Sequence, residues 1–560
     1  MATKSGGPLV YTALGGAGEI GMNCYLYGLG EGRRRRWIMV DLGVTFGDME
    51  TAPGVELILP DLEFILGEKD RLDAIILTHG HEDHVGAIPH YWRRLGVPIY
   101  ARRFTAEIMR NKFAEAGLDT EAVREVRLGE HVEIGDFSVE WLDVTHSIPE
   151  GSMVVIRTPA GTVLHTGDFK MDPEPLLGEP FDAAPFEALG REGLLALVCD
   201  STNVFMPGEA GSEAEVVPHI RRLIAAAPRA VAATSFASNI ARLRTLAQIA
   251  HDAGRSVVVA GRAMRQMIEM STRTGRLSDF PPVVPEDRAK EIPAQHLFYL
   301  VTGSQGEARA ALARIAAGTH PTVKLGEGDL VLFSTRSIPG NEAGIHRLYN
   351  RLSERGIRVI DGEMERIHVS GHARRDDLKR LYGILKPRVA IPIHGEHRHL
   401  VEHARMAKEW GALKAFVAAN GTMVRLDGST PGIIDEVETG RVYLDGHVEV
   451  GAFDGVIRER LKMARNGHVV IAVVVDEEGE LIADPDVRCL GAPKDGEGWT
   501  APLDEMVADA VDAAIGHASR RLKRSDDELE QIISRAARKA VVDHWGKKPV
   551  TSVMITRLEE

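Results

Sequence analysis

The stretch Thr78-His79-Gly80-His81-Glu82-Asp83-His84 limits what this chain can fold into more than any other. It follows the apolar run Ala74-Ile75-Ile76-Leu77, which reads as a short buried strand. Three histidines and an aspartate therefore crowd the point where a strand gives way to a loop. Side chains two apart on a strand share a face, so His79 and His81 can grip one ion together. Asp83 and His84 lie past the turn and can supply a second. Imidazole nitrogen and carboxylate oxygen suit Zn²⁺ or Mn²⁺ rather than a thiolate-selected metal. Exposed loops collect histidine and aspartate by chance, but rarely in so packed an order. A fold built on this loop has to bring the missing ligands from elsewhere.

Other β runs end the same way. Residues 137–141 alternate as a half-buried strand should and lead to Val144-Thr145-His146-Ser147. Residues 162–165 lead to Thr166-Gly167-Asp168, residues 194–198 to Cys199-Asp200, and residues 388–393 to His394-Gly395-Glu396. A histidine or aspartate at the C-terminal end of a strand is where open α/β sheets place their ligands. A two-metal hydrolase needs around seven protein ligands for ions about 3.5–4 Å apart. The candidates divide into His79, His81 and His146 for the first ion, Asp83, His84 and His394 for the second, and Asp168 bridging. The chain has 22 histidines, so one taken singly is no ligand. His90, His131, His219, His251, His296, His320 and His346 lack strand-end context and read as structural or surface. His165 reads as packing, and His397, His399 and His403 as exposed positions on a helix.

At 560 residues the chain should hold three or four domains of roughly 150 residues each. From 212 to 365 the texture becomes a βα repeat, with helices expected over 216–227, 240–253 and 307–317. Strands expected over 230–234, 257–260, 297–302, 330–334 and 358–360 would form a parallel sheet. Its polar loops 235–239, 303–306 and 337–341 can cradle phosphates. The metal-site texture then returns with Ile367-His368-Val369-Ser370-Gly371-His372 and His394, so the repeat reads as an insert. Residues 1–211 and 366–450 are then two parts of one metal-binding domain, with 212–365 inserted between them. A linker over 451–465 precedes a small α+β domain over 466–560, with a hairpin 468–475/480–482, helices 502–522 and 526–544, and a strand 550–556. The glycines between Gly15 and Gly21 superficially resemble a dinucleotide fingerprint, but no helix follows, and a tight turn near the metal site fits better.

Composition sets outer limits. A hydrophobic share of 44% supports sizeable cores, and no apolar run reaches the ~20 residues of a membrane span. Residues 1–8 lack the apolar core of a signal peptide. Three cysteines, Cys24, Cys199 and Cys489, form no disulfide framework or Cys-based zinc site. A cytoplasmic enzyme is expected. A formal charge of −14 argues against indiscriminate coating of nucleic acid but leaves room for a local basic channel. Arg33 to Arg36 is the densest basic run and reads equally as a solvated hairpin turn.

His79-x-His81-x-Asp83-His84, His146, Asp168 and His394 resemble the metallo-β-lactamase-fold hydrolases. Asp200, His372 and His394 match the further motifs of the β-CASP branch, whose members cut nucleic acids. Gly15 to Gly21, Thr145-His146-Ser147-Ile148-Pro149, His165 to Lys170, Phe236-Ala237-Ser238-Asn239, Thr302 to Glu307 and Pro392 to Glu396 are similar to the bacterial ribonuclease J family. That resemblance implies an αββα sandwich with an inserted parallel α/β domain and a small C-terminal α+β domain. It implies RNA as partner and two divalent ions, Zn²⁺ or Mn²⁺, as cofactors. The implied activity is 5′-to-3′ exonucleolytic, preferring 5′-monophosphate RNA, with internal cleavage besides, in RNA maturation and decay. It places His372 by the scissile phosphate as general acid or charge stabiliser and Asp200 as its orienter, with Asp83 also counted among the catalytic residues. Phe236, Ser238, His368, Val369, Ser370 and Gly371, with His372, would bind the RNA backbone or its 5′ phosphate. Homodimers or homotetramers built partly through the C-terminal domain follow, and a further structural cation, for which Asp48, Glu50 and Asp445 are the candidates. Arg102, Arg103, Arg374 and Arg375 are expected to focus positive potential locally. The alternatives are a DNA-processing β-CASP nuclease, which shares every ligand, and a small-molecule metallohydrolase, which needs neither the insert nor His372.

Overall fold

In the computed structural model of the chain, residues 7–338 and 340–558 are described; most of the N-terminal stretch 1–8, and Pro339 of the polar loop 337–341, lie outside them. Apolar alternation pairs two large sheets face to face. The first has eight strands in the order Gly432–Glu436, Thr422–Arg425, Leu9–Gly15, Cys24–Leu29, Arg36–Val40, Leu72–Ile76, Ile99–Arg102 and Val123–Val126. The second has seven, in the order His131–Ile134, Phe137–Asp143, Ser152–Thr158, Gly161–His165, Ala196–Asp200, Val389–Ile393 and Lys414–Ala415. Tyr11, Tyr25 and Ile76 of the first meet Trp141, Val198 and Ile391 of the second in one core. Helix Arg103–Glu115 backs the first sheet. Ala184–Glu192, Arg375–Leu385 and His397–Glu409 carry buried side chains that share a core with the second. This is the αββα sandwich.

The insert leaves and re-enters this sandwich at one place. Strand Ala196–Asp200 is parallel to Val389–Ile393, with Asp200 opposite Ile393, although nearly 190 residues separate them in sequence. Most of the intervening chain forms a wholly parallel sheet in the order Ser256–Ala260, Leu297–Val301, Val231–Thr234, Leu330–Phe333 and Arg358–Ile360. Its strands match the sequence expectation to within a residue or so at each end. Helices Arg262–Arg273 and Glu342–Glu354 were not anticipated, and the helix expected over 307–317 is confined to Ala311–Ala316. Phe104, Ile108 and Ile148 of the sandwich share a core with Ile220, Leu243 and Val369, so the insert is packed onto the sandwich.

Residues 46–58 and 441–560 form a second compact unit. Strand His468–Val475 runs parallel to Val550–Arg557 and antiparallel to Asp486–Leu490. Helices Leu503–His517 and Asp526–Trp545 cover one face of this sheet. The stretch read as a linker, 451–465, instead carries most of helix Val456–Asn466, capped by Gly455. His399 and His403 are not exposed: they are 7% and 0% accessible, because their helix turns that face toward the second sheet. Arg102 is buried as well and pairs with Asp143, so it adds no free positive potential.

Candidate metal centre

Strands Leu72–Ile76, Gly161–His165, Ala196–Asp200 and Val389–Ile393 all end at one edge of the sandwich, and the sequence-predicted ligands meet there. One group joins His79, His81, His146 and Asp168; another joins Asp83, His84, Asp168 and His394. Within the first, His81 Nδ1 lies 3.1 Å from His79 Nε2 and 3.1 Å from His146 Nε2. Nitrogens ~2.0–2.1 Å from a tetrahedral cation would stand at about this spacing. Asp168 Oδ2 is common to both groups, 3.8 Å from His79 Nε2, 3.7 Å from His146 Nε2, 3.3 Å from His84 Nε2 and 3.5 Å from His394 Nε2. Asp168 Oδ1 is buried with no hydrogen-bond partner. An orphaned carboxylate oxygen amid five imidazoles is the donor set of a divalent cation site.

The outward ring nitrogens are each tied to protein, which fixes which nitrogen faces inward. His79 Nδ1 meets Thr78 Oγ1 at 3.0 Å, His84 Nδ1 meets Asp41 Oδ2 at 2.7 Å, and His394 Nδ1 meets Asn23 Oδ1 at 2.9 Å. His146 Nδ1 meets the Gly371 carbonyl at 2.7 Å and His81 Nε2 meets Ser238 Oγ at 3.0 Å. Asp41 also accepts from the Thr78 amide and hydroxyl. Asp41 and His394 both adopt left-handed backbone, φ +60° and +49°, a conformation that costs of order 1–3 kcal/mol outside glycine and gathers at functional sites. Gly43 is sterically required, since a Cβ there would lie 1.7 Å from the Asp83 carbonyl oxygen; a Cβ on Gly371 would stand 3.0 Å from the His146 ring, a tight contact that the ring would have to ease.

Charge agrees with this geometry. Burial pushes His79 and His146 well below the ordinary imidazole range and His81 down to about 4, so all three are neutral donors at pH 7. In the other group burial opposes protonation of His84, yet Asp168, Asp83 and Asp41 outweigh it and raise its pKa. Two carboxylates facing two imidazoles leave an excess of negative charge, which a proton answers here and a bound cation would answer in its place. Burial likewise opposes ionisation of Asp168, but His394, His84 and His372 hold its pKa well below the carboxylate range.

Beside the ligands, His372 Nδ1 is 2.8 Å from Asp200 Oδ2, and Asp200 Oδ1 accepts from the Thr202 amide and hydroxyl. Burial works against a charge on His372, but Asp200 and Asp168 prevail and raise its pKa to about 9. Loop 368–372 is held against the centre, Ala373 N donating to Phe169 O at 2.6 Å and Asn203 Nδ2 to Ser370 Oγ at 2.8 Å. Val369 is buried in the core shared with the insert, so its side chain cannot reach an RNA strand. Phe236 is half-buried on the loop that carries Ser238.

Asp48, Glu50 and Asp445 do not come together as a cation site among the described residues. The Asp48 carboxylate accepts from Glu50 N and Thr51 N of its own turn, and Asp445 is paired with Arg460. Asp41, Asn23 and Thr78 escaped the sequence reading. Asp41 alone carried a signal, since it too ends a strand, Arg36–Val40.

Four family models match successive parts of the chain. Residues 17–208 match the metallo-beta-lactamase superfamily, 228–352 the ribonuclease J beta-CASP domain, 348–418 the Zn-dependent metallo-hydrolase RNA specificity domain and 455–558 the ribonuclease J C-terminal domain. Ribonuclease J of Sinorhizobium meliloti is 42% identical over 553 residues, covering 98% of this chain and 97% of that protein. Ribonuclease J 1 of Streptococcus pyogenes is 37% identical, covering 97% and 96%, and ribonuclease J of Thermus thermophilus 33% identical, covering 96% and 93%. With a full-length match and a histidine–aspartate cluster where both sheets end, the chain belongs to the ribonuclease J family.

Proposed function

We propose that this metal-dependent ribonuclease degrades RNA from the 5′ end, preferring a 5′ monophosphate, and also cuts internally, in RNA maturation and decay. The observation that carries the reading is the pair of ligand groups sharing Asp168 with the His372–Asp200 pair alongside. His79, His81 and His146 would hold one divalent ion and Asp83, His84 and His394 a second, Zn²⁺ or Mn²⁺, with Asp168 common to both. When bound, the ions supply Lewis acidity toward a phosphodiester and activate water for attack on phosphorus. The chain's own contribution is a proton at the other end of the reaction. As the P–O3′ bond breaks, the leaving oxygen takes a proton from His372, whose Nδ1 is engaged by Asp200 and whose Nε2 is left to donate. Asp200, bonded to Nδ1, favours the protonated ring that a general acid needs.

A preference for 5′ phosphate is supported by the surroundings of His368. Its Nδ1 is buried without a partner, and burial, then Arg242, Arg336, Lys170 and Arg374, keep its ring neutral. Arg242 and Lys170 are paired with Glu213 and Asp172, and Arg336 and Arg374 beside the unpartnered ring nitrogen suit a phosphate. Assembly as a homodimer or homotetramer draws support from Met554 and Leu490, apolar and more than half exposed on the C-terminal unit. No helix among the described residues is long and apolar enough to cross a membrane, which accords with a cytoplasmic setting.

End-labelled RNA tests the reading. Mononucleotides released from 5′-monophosphate RNA faster than from 5′-triphosphate RNA are expected, with single-stranded DNA cut far more slowly. Equal rates on DNA and RNA would favour a DNA-processing nuclease, and no cleavage of RNA with metal present would end the proposal.

A further inference from the structure

Two of the three histidines of the first ligand group are oriented from outside the first part of the sandwich. His81 takes its outer hydrogen bond from Ser238, 157 residues away on the first polar loop of the insert. His146 Nδ1–H donates its outer bond to the Gly371 carbonyl, 225 residues away on the loop that follows the insert. The corresponding partners in the second group, Asp41 and Asn23, belong to the sandwich itself. The loops 235–239 and 368–372 are also those that the family resemblance places against RNA. The two ion sites are thus built differently: one stands on the sandwich alone, the other depends on where these loops lie.

We infer that the three-histidine site is completed by the RNA-binding loops, with Ser238 as a positioning residue for His81, so that RNA and the ion at this site bind cooperatively. This rests on the two-ion reading of the centre. The sign follows from hydroxyl chemistry. A serine hydroxyl has one donor and two acceptor positions. When His81 uses Nδ1 inward, its Nε2–H donates to Ser238 Oγ, and the Ser238 O–H remains to donate to a phosphate oxygen. His81 and RNA therefore do not compete for the same position. RNA that holds the loop where it lies favours the imidazole orientation the ion needs, and linkage requires the ion to favour RNA by the same factor. Removing a partner that orients a metal-bound histidine typically weakens metal binding about 10–100-fold.

The test is Zn²⁺ titration of metal-free full-length protein against a chromophoric chelator, for wild type, Ser238→Ala and Ser238→Thr. Two binding steps are expected in wild type. In Ser238→Ala one step should weaken about tenfold or more with the other unchanged, while Ser238→Thr, which keeps the hydroxyl, should stay close to wild type. Adding a 5′-monophosphorylated phosphorothioate oligoribonucleotide should tighten that same step in wild type and do so much less in Ser238→Ala. Unchanged affinities in Ser238→Ala, equal losses in Ala and Thr, or RNA that leaves the step unchanged or weakens it would overturn the inference. A wild type that binds fewer than two ions would instead count against the two-ion reading.

Discussion

At the scale of single residues, the ligands were legible because one chemical pattern recurs: a histidine or aspartate set at the end of an apolar run. Most of their orienters were not, because except for Thr78 beside His79 the contact that decides which ring nitrogen faces inward is distant in sequence. Asp41 is the clearest case, fully buried and bound to both His84 and Thr78. Asp41→Asn should lower activity and second-site metal affinity about 10–100-fold, read by metal titration and turnover. His372→Ala should slow cleavage about 10²–10⁴-fold, the usual worth of a general acid, with metal content unchanged by elemental analysis. Asp48 and Asp445 show the opposite case: a carboxylate in sequence carries no sign that its own turn or Arg460 will engage it. His403 makes a pH prediction. It is buried between Ser201 Oγ at 2.9 Å and Tyr382 OH at 3.1 Å, and burial lowers its pKa from 6.5 to about 4. Between those values the unfolded chain binds the extra proton, so this stabilisation is whole above pH 6.5 and is lost as pH falls toward 4. Urea unfolding with chelator present should show a shallower loss of stability over this window in His403→Gln, by up to about 1.4 kcal/mol per pH unit.

At the scale of elements, the parallel strands of the insert and the strands that deliver the ligands were readable from apolar runs bounded by polar loops. Helices with weak boundaries, such as Arg262–Arg273 and Val456–Asn466, were not. The short helix Glu82–Val85, carrying Asp83 and His84, is seated by a backbone contact that only glycine permits. Leu42 N bonds to His84 O at 2.7 Å and Gly43 N to Asn23 O at 2.9 Å, so neither side of that contact can retreat. Gly43→Ala should therefore destabilise the protein by about 1–3 kcal/mol and reduce metal stoichiometry, measured by denaturant midpoint and by elemental analysis. Full metal content at wild-type stability would refute the steric account.

At the scale of the molecule, every candidate ligand belongs to the unit formed by residues 1–45 and 59–440, and among the described residues none belongs to 46–58 or 441–558. A ligand that binds only the folded state stabilises what it binds, by about 2.7 kcal/mol at a hundred times its dissociation constant. Chelation should then lower hydrogen-exchange protection in the first unit and leave the strands and helices of 468–557 unchanged. Equal loss in both would mean that the two unfold as one. The buried Arg242 offers a second check: it bonds Glu213, Ser334 and the Ile367 carbonyl, joining the insert to the start of loop 368–372. Arg242→Leu leaves Glu213 with Lys170, at 3.8 Å, as its remaining cationic neighbour among the described residues, and should cost about 3–5 kcal/mol, seen in the same exchange measurement.

The sequence by itself determined the chemistry, since His79, His81, Asp83, His84, His146, Asp168 and His394 announce a metal centre by residue type and by their places after apolar runs. It also determined that a βα repeat interrupts the metal-binding domain, because periodicity and apolar runs are local properties. Only the tertiary structure decided how the centre is held. Hydrogen bonds such as His81 to Ser238 and His146 to Gly371 span hundreds of residues and depend on the packing of the insert against the sandwich. The opening motif thus supplies candidate ligands, while the direction in which the rings of His81, His84, His146 and His394 face is set by chain that no local pattern connects to them.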